Sequence, residues 1–276
     1  MTTALHDHAA PSGTGPSRSR LFGKPRDVLR RKAMDFVRRL DGRDDACAGI
    51  DTSGRYEVLD LPLSGESDHG EMTIGYEAIS GAALKLLIAA LNLKPHQFCF
   101  VDLGCGKGRP LYIASLFPFK KVIGVELSQQ LYQIAHRNVE AVLSSSSPVC
   151  RDVTVHHADA GTFKLPDSDI VIYMFNPFPG QVLQQALANV SQLLDAGREV
   201  IVIYHNPRYK WVVDAWMRLQ PTRIGNLFGL VHRILTIAPL AVYRSGDAPR
   251  PIGFWPDRAG LTGSRSMIGT SLELYS

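Results

Sequence analysis

Hydrophobic positions along the chain fall into short apolar runs separated by stretches with helical spacing. The runs Phe98–Val101, Lys121–Glu126, Val153–His156, Ile170–Phe175 and Val200–Tyr204 read as strands. Apolar residues recurring every three or four positions predict helices over Ala78–Leu91, Pro110–Phe117, Val182–Leu194 and Trp211–Leu219. Another helix is predicted after Ser128, a residue suited to the N-cap, and runs to about Leu143. The stretch Arg223 to Tyr243 is expected to supply two last strands, of which Leu240–Tyr243 is the clearer. Strands alternating with helices in this way imply an α/β fold, a mostly parallel sheet covered by helices on both faces.

Ahead of this region the pattern predicts a helix over Lys24–Arg43. Val28, Leu29, Ala33, Phe36, Val37 and Leu40 share one face, with Arg30, Arg31, Lys32, Arg38 and Arg39 mostly elsewhere. Its basic face reads first as a solvated surface, and the alternative is contact with an acidic partner or a membrane surface. Residues 1–20 are rich in Ser, Gly, Pro, Thr and His and read as a flexible tail. Cys47–Asp68 reads as irregular, and the chain beyond Ser245 is Pro- and Gly-rich. The expected organisation is a tail (1–20), a helical and irregular extension (21–75), the α/β domain (76–244) and a C-terminal tail (245–276).

Composition narrows the function classes. A chain of 276 residues with 45% hydrophobic content can bury one sizeable core. Its net charge of +4 is too mild to signal nucleic acid. Cys47, Cys99, Cys105 and Cys150 lie far apart with no CxxC pair, which argues against a zinc ribbon and a disulfide framework, and no metal site is expected. No stretch approaches a membrane span and the N-terminus has no apolar signal core, so the expected location is the cytoplasm.

The candidate chemistry begins at Val101-Asp102-Leu103-Gly104-Cys105-Gly106-Lys107-Gly108-Arg109. A buried strand ends in an acid and a glycine-rich turn, and a helix opens at once. Glycines there let the backbone turn sharply and let a ligand approach, while the helix start offers unpaired N–H groups. Two ligands use such a loop with an acid at the end of the next strand, a dinucleotide and S-adenosylmethionine. In both, that acid accepts bonds from ribose hydroxyls, a task for which Glu126 is placed. The details separate them. Gly104, Gly106 and Gly108 are spaced G-x-G-x-G rather than G-x-G-x-x-G. The carboxylate of Asp102 would repel a pyrophosphate, whereas it suits an ammonium and a sulfonium.

With these motifs the sequence resembles the class I S-adenosylmethionine-dependent methyltransferases over roughly residues 76 to 243. Residues 101–108 are similar to that family's first motif and Gly124-Val125-Glu126-Leu127 to its second, and Asp159-Ala160 sits where the adenine-binding acid is found. The resemblance implies a three-layer, doubly wound, mostly parallel seven-stranded sheet. It implies that Asp102 and the Gly104-Cys105-Gly106-Lys107-Gly108 backbone hold the methionine part of the cofactor. It further implies that Glu126 binds ribose and that Asp159, with Ala160 beside it, accepts from the adenine amine. Cys105 has no adjacent base and reads as small filler within the cofactor loop. Tyr76 and Glu77 lie where the family folds a segment over the cofactor, a cap of the following helix being the alternative.

At the acceptor end, Asn176-Pro177-Phe178 follows the fourth strand and resembles the N-P-P-[FY] signature of enzymes that methylate adenine or glutamine amines. There the Asn carbonyl aims the amine, and the ring faces the cationic centre. Asn176 therefore counts as both a cofactor-binding and a catalytic candidate. The aromatic comes one residue early here and Pro179 follows it, a departure that argues against adenine or glutamine themselves. A looser similarity links Gly70-Glu71 and Asn176-Pro177-Phe178 to DOT1-type protein-lysine methyltransferases, and so favours a protein amine over a small molecule. Phe178 is the catalytic candidate for the ring; a lysine acceptor must also lose a proton, for which His205 or Tyr204 are candidates, with core packing or a turn contact as the other reading. The expected function is S-adenosylmethionine-dependent methyl transfer to an amine nitrogen. Its rivals are a non-catalytic binding module and a nicotinamide-linked oxidoreductase.

Overall fold

The computed structural model describes residues 25–56, 76–175, 180–216, 218–236 and 238–246. The chain opens with helix α1 (Pro25–Ala48), followed by the short strands β1 (Arg55–Tyr56) and β2 (Tyr76–Glu77), which pair antiparallel. Helix α2 (Gly81–Ala90) and a 3-10 turn over Pro95–Gln97 lead to β3 (Phe98–Leu103). Then come α3 (Arg109–Ser115), β4 (Lys121–Glu126), α4 (Gln129–Ser144), β5 (Val153–His157) and β6 (Asp169–Phe175). The C-terminal half adds α5 (Gly180–Asp195), β7 (Val200–His205), α6 (Lys210–Ala215), β8 (Gln220–Pro221), α7 (Asn226–Leu235) and β9 (Leu240–Arg244).

Seven strands make one sheet in the order β5-β4-β3-β6-β7-β9-β8. β3 to β7 are mutually parallel, and β9 enters antiparallel between β7 and β8. The order reverses between β3 and β6, so a crevice opens at the carboxyl ends of those two strands, where open α/β sheets bind ligands. This is the α/β/α arrangement that the motifs imply.

Alternating side chains divide between the faces, as a pleated strand requires. Phe98, Phe100, Tyr173, Ile201, Ile203 and Val242 pack under α2, α3, α4 and α7. Cys99, Val101, Ile170, Ile172, Val200 and Val202 pack under α5 and α6. Ser80 caps α2 by accepting from the Ala83 N–H, and Ser128 caps α4 by accepting from that of Leu131.

Several elements differ from the pattern reading, each for a physical reason. Between Arg223 and Tyr243 only β9 is a strand of the sheet. The second edge strand, β8, precedes that stretch, and the apolar residues between are the helix α7, which buries Phe228 and His232. The helix expected to reach Leu219 ends at Ala215. Helix α1 continues past Arg43 to Ala48, and its buried stripe is Val37, Asp41 and Asp45 at four-residue spacing. Phe36, expected on the apolar face, is 62% exposed and points outward among Arg39 and Arg43. No helix among the described residues is long and apolar enough to cross a membrane. The expected tail at 1–20, the expected C-terminal tail (245–276) from residue 247 onward, and Gly70-Glu71 lie outside the described residues.

Candidate functional site

Strand β3 carries Asp102 to the carboxyl edge of the sheet, and the next residues turn the chain into α3. Gly104, Gly106 and Gly108 have φ of 80°, 56° and 84°, left-handed values that side chains rarely adopt. The loop is fastened across the sheet to β4. Gly104 and Cys105 both donate their N–H to the Val125 carbonyl, at 2.8 and 3.0 Å. Glu126 accepts from the Gly106 N–H through Oε2 and from the Ser128 N–H through Oε1, each at 2.8 Å. A carboxylate oxygen has two lone pairs, so each keeps capacity for a further donor such as a ribose hydroxyl.

Asp102 is 1% exposed, and its Oδ2 has no hydrogen-bond partner among the described residues. Burial first, and then the charge of Glu126, pushes its carboxyl well above the ordinary range. Burial likewise raises Glu126, opposed by the N–H groups of Ser128 and Gly106. An unsatisfied buried carboxylate oxygen is costly unless a donor meets it. Two acids at the ends of adjacent strands, with a glycine-rich loop between them, suit a ligand carrying a cationic donor and hydroxyls.

Cys105 packs against Gly124 of β4. A Cβ built on Gly124 would lie 2.5 Å from Leu111 Cδ1 and 2.9 Å from Cys105 Sγ. Burial holds the Cys105 thiol well above its usual range, which fits a packing role and not a nucleophile. Gly124 thereby joins the site as a residue whose missing side chain makes room for the loop.

At the end of β5, Asp159 Oδ1 accepts from the Gly161 N–H at 2.7 Å and closes a turn, with Ala160 buried beside it. Leu127, partly exposed, fixes His157 through its carbonyl, 2.9 Å from Nε2, and the His157 ring stacks on Tyr132. Tyr76 and Glu77 form β2, paired to Tyr56 and Arg55. Asn176 and Phe178 lie outside the described residues, between Phe175 at the end of β6 and Gly180 at the start of α5.

His205 departs from its expected place. It is fully buried, with Nδ1 3.1 Å from the Tyr173 hydroxyl and Nε2 2.9 Å from His232 Nε2. Its ring lies 5.6 Å from that of Phe175. With both nitrogens engaged inside the core, the imidazole backs the end of β6 and is not open to an acceptor. Tyr204 is buried on the other face, where its hydroxyl accepts from the Tyr209 N–H.

Lys107, Arg109 and Asn138, to whose side chains the sequence pattern assigns no role, are all buried around the glycine loop. One signal was present: two cations at a helix start oppose the helix dipole and so must answer to other partners. Elsewhere, an open depression of about 460 Å³ lies at the far end of β7, but its Arg198 and Arg218 are already paired with Asp167 and Asp195. Among the described residues no cluster of His, Cys, Asp and Glu could hold a metal ion.

Residues 100–197 match the family model described as "methyltransferase domain". No curated protein matches the chain. Among solved structures, an S-adenosylmethionine-dependent methyltransferase from Thiobacillus denitrificans in complex with S-adenosyl-L-homocysteine is 22% identical, with 50% of this chain and 55% of that one covered and a TM-score of 0.36. One from Geobacter sulfurreducens, in complex with the same molecule, is 24% identical, with 45% and 48% covered and a TM-score of 0.34. A TehB-like S-adenosylmethionine-dependent methyltransferase from Corynebacterium glutamicum is 14% identical, with 78% and 99% covered and a TM-score of 0.42. The chain spans about half the length of the first two.

Proposed function

We propose that the chain, whose residues 100–197 match the methyltransferase-domain family model, transfers a methyl group from S-adenosylmethionine to an amine nitrogen, a protein side chain being the favoured acceptor. The observation that carries the cofactor assignment is the buried, unpartnered Oδ2 of Asp102 beside a glycine loop with left-handed backbone. A pyrophosphate would meet repulsion at that oxygen, and an ammonium would satisfy it.

Asp102 and the N–H groups of the glycine loop would hold the methionine part, Glu126 the ribose, and Asp159 with Ala160 the adenine. When bound, the cofactor supplies an electrophilic methyl carbon. What remains for the chain is alignment and exclusion of water, because in-line displacement gains most from positioning. Asn176 and Phe178 are proposed to orient the amine, on the sequence resemblance of Asn176-Pro177-Phe178. His205 supports Phe175 from below and leaves the acceptor's proton to another group.

Calorimetric titration with S-adenosyl-L-homocysteine and, separately, with NADH tests the cofactor. Binding of the first alone is the expected result, and binding of NADH alone would overturn it. Incubation with methyl-labelled cofactor and cell lysate tests the acceptor, with label expected in protein. Label confined to nucleic acid or to small molecules would overturn the amine-in-protein assignment. Asn176→Ala is expected to lose turnover while keeping cofactor affinity, whereas a pure binding module would show no turnover to lose.

A further inference from the structure

The glycine loop is gripped from behind by a segment that carries none of the residues assigned to the cofactor. Lys107 is 3% exposed, and its Nζ donates to Asp51 Oδ1 at 2.9 Å and to the Ser53 carbonyl at 2.8 Å. Arg109 is 4% exposed and spends its fork on the same region. Its Nε donates to Thr52 Oγ1 at 2.7 Å, and its Nη2 to Asp45 Oδ2 at 2.9 Å and Ser53 Oγ at 3.0 Å. Its Nη1 donates to the Ile79 carbonyl at 3.0 Å and lies 3.1 Å from Asp41 Oδ2. Asn138 of α4 closes the arrangement: Nδ2 donates to the carbonyls of Asp51 at 2.7 Å and Lys107 at 2.8 Å, and Oδ1 accepts the Asp51 N–H at 2.9 Å.

The physical need for such a grip is plain. A loop with glycine at three of five positions has many accessible shapes and little of its own to select one. Its two buried cations sit at a helix start, where the dipole opposes them, so their burial draws on these partners. The geometry points to residues 41–53 as a clasp on the glycine loop, with Lys107 and Arg109 as positioning residues through which the clasp sets cofactor affinity. This inference rests on the cofactor assignment above. It moves the start of the working domain from Tyr76 back into α1.

Arg109 is a poor test residue, since its loss leaves two buried carboxylates facing each other and a misfolded chain would mimic lost binding. Lys107→Met keeps the length of the side chain, and its partner Asp51, 66% exposed, stays solvated. Full-length wild type, Lys107→Met, Asp51→Asn and the double variant are titrated with S-adenosyl-L-homocysteine, and the thermal midpoints of the unliganded proteins are recorded. Leu193→Ala, in α5 on the opposite face of the sheet, serves as a purely destabilising control.

Each single variant is expected to weaken binding by about tenfold, and the double variant no further than the weaker single. The control, despite a lower midpoint, keeps the wild-type dissociation constant. A dissociation constant within about twofold of wild type in Asp51→Asn and folded Lys107→Met overturns the clasp, as do fully additive losses or an equal loss in the control. Should Lys107→Met not fold, Asp51→Asn against the control decides alone. Wild type that folds without binding overturns the cofactor assignment and the clasp together, whereas wild type that binds beside unaffected variants overturns the clasp only.

Discussion

Asp102 keeps an acid where its surroundings resist the charge. Because burial and Glu126 hold its carboxyl well above the ordinary range, the unliganded site favours the protonated form. A cationic donor favours the carboxylate, so cofactor binding should lower the carboxyl's proton affinity and release whatever proton the free site holds. The sign follows: affinity rises with pH as Asp102 gives up its proton, and falls as pH drops below that point. Calorimetry of the wild type in buffers of different ionisation enthalpy should show proton release that grows as pH falls, and Asp102→Asn should largely lose binding. Directly opposite Asp102 on the neighbouring strand β4, Gly124→Ala introduces the clash with Leu111 and Cys105. It should cost about 1–3 kcal/mol of stability, read by denaturant unfolding, and weaken cofactor binding through the displaced Cys105.

At the scale of the element, β7 and α7 meet through two imidazoles. Burial is the main cause that holds His205 well below the usual histidine range and His232 at about 4, with His232's charge also lowering His205. Unfolded histidine titrates near pH 6.5, so the unfolded chain binds more protons between about 4 and 6.5. The stability of this junction is therefore full above about pH 6.5 and is lost as pH falls, by up to about 1.4 kcal/mol per pH unit per group. Urea midpoints between pH 7 and 5 should show this slope, and His232→Gln should flatten it. Elements such as α7 and the end of α1 are where the amino-acid pattern misled. The α7 stretch contains the apolar run Leu227–Val231, and a short continuous apolar run reads equally as strand or buried helix. In α1 the buried face carries Asp41 and Asp45, acids that look solvent-facing until Arg109, far along the chain, is seen to meet them.

Across the whole molecule the legible part is the part with local causes. The parallel strands and the acids at their ends follow from runs of β-branched and aromatic residues, and β4 falls on Lys121–Glu126 as its pattern reads. Gly104, Gly106 and Gly108 announce their turn because only a residue without a side chain takes those angles freely. The pairing of Lys107 with Asp51, or of His205 with His232, depends on tertiary placement that no window of sequence holds. At this scale cofactor should act as a stabiliser: at about one hundred times its dissociation constant it should raise unfolding free energy by about 2.7 kcal/mol, read as a concentration-dependent shift in the thermal midpoint.

The stitching of the glycine loop also fixes when the site can come into being. Asp45 is 64 residues from Arg109, and Asp51 is 87 from Asn138. Contacts of such separation close late, because the loop-closure entropy is met before they give anything back. During synthesis from the N-terminus, α1 and the Asp51 segment leave the ribosome well before their partners. The loop reaches its working shape only after Asn138 has emerged, so a nascent chain stalled short of that residue would carry both the loop glycines and the strand-end acids without a site that cofactor can fill.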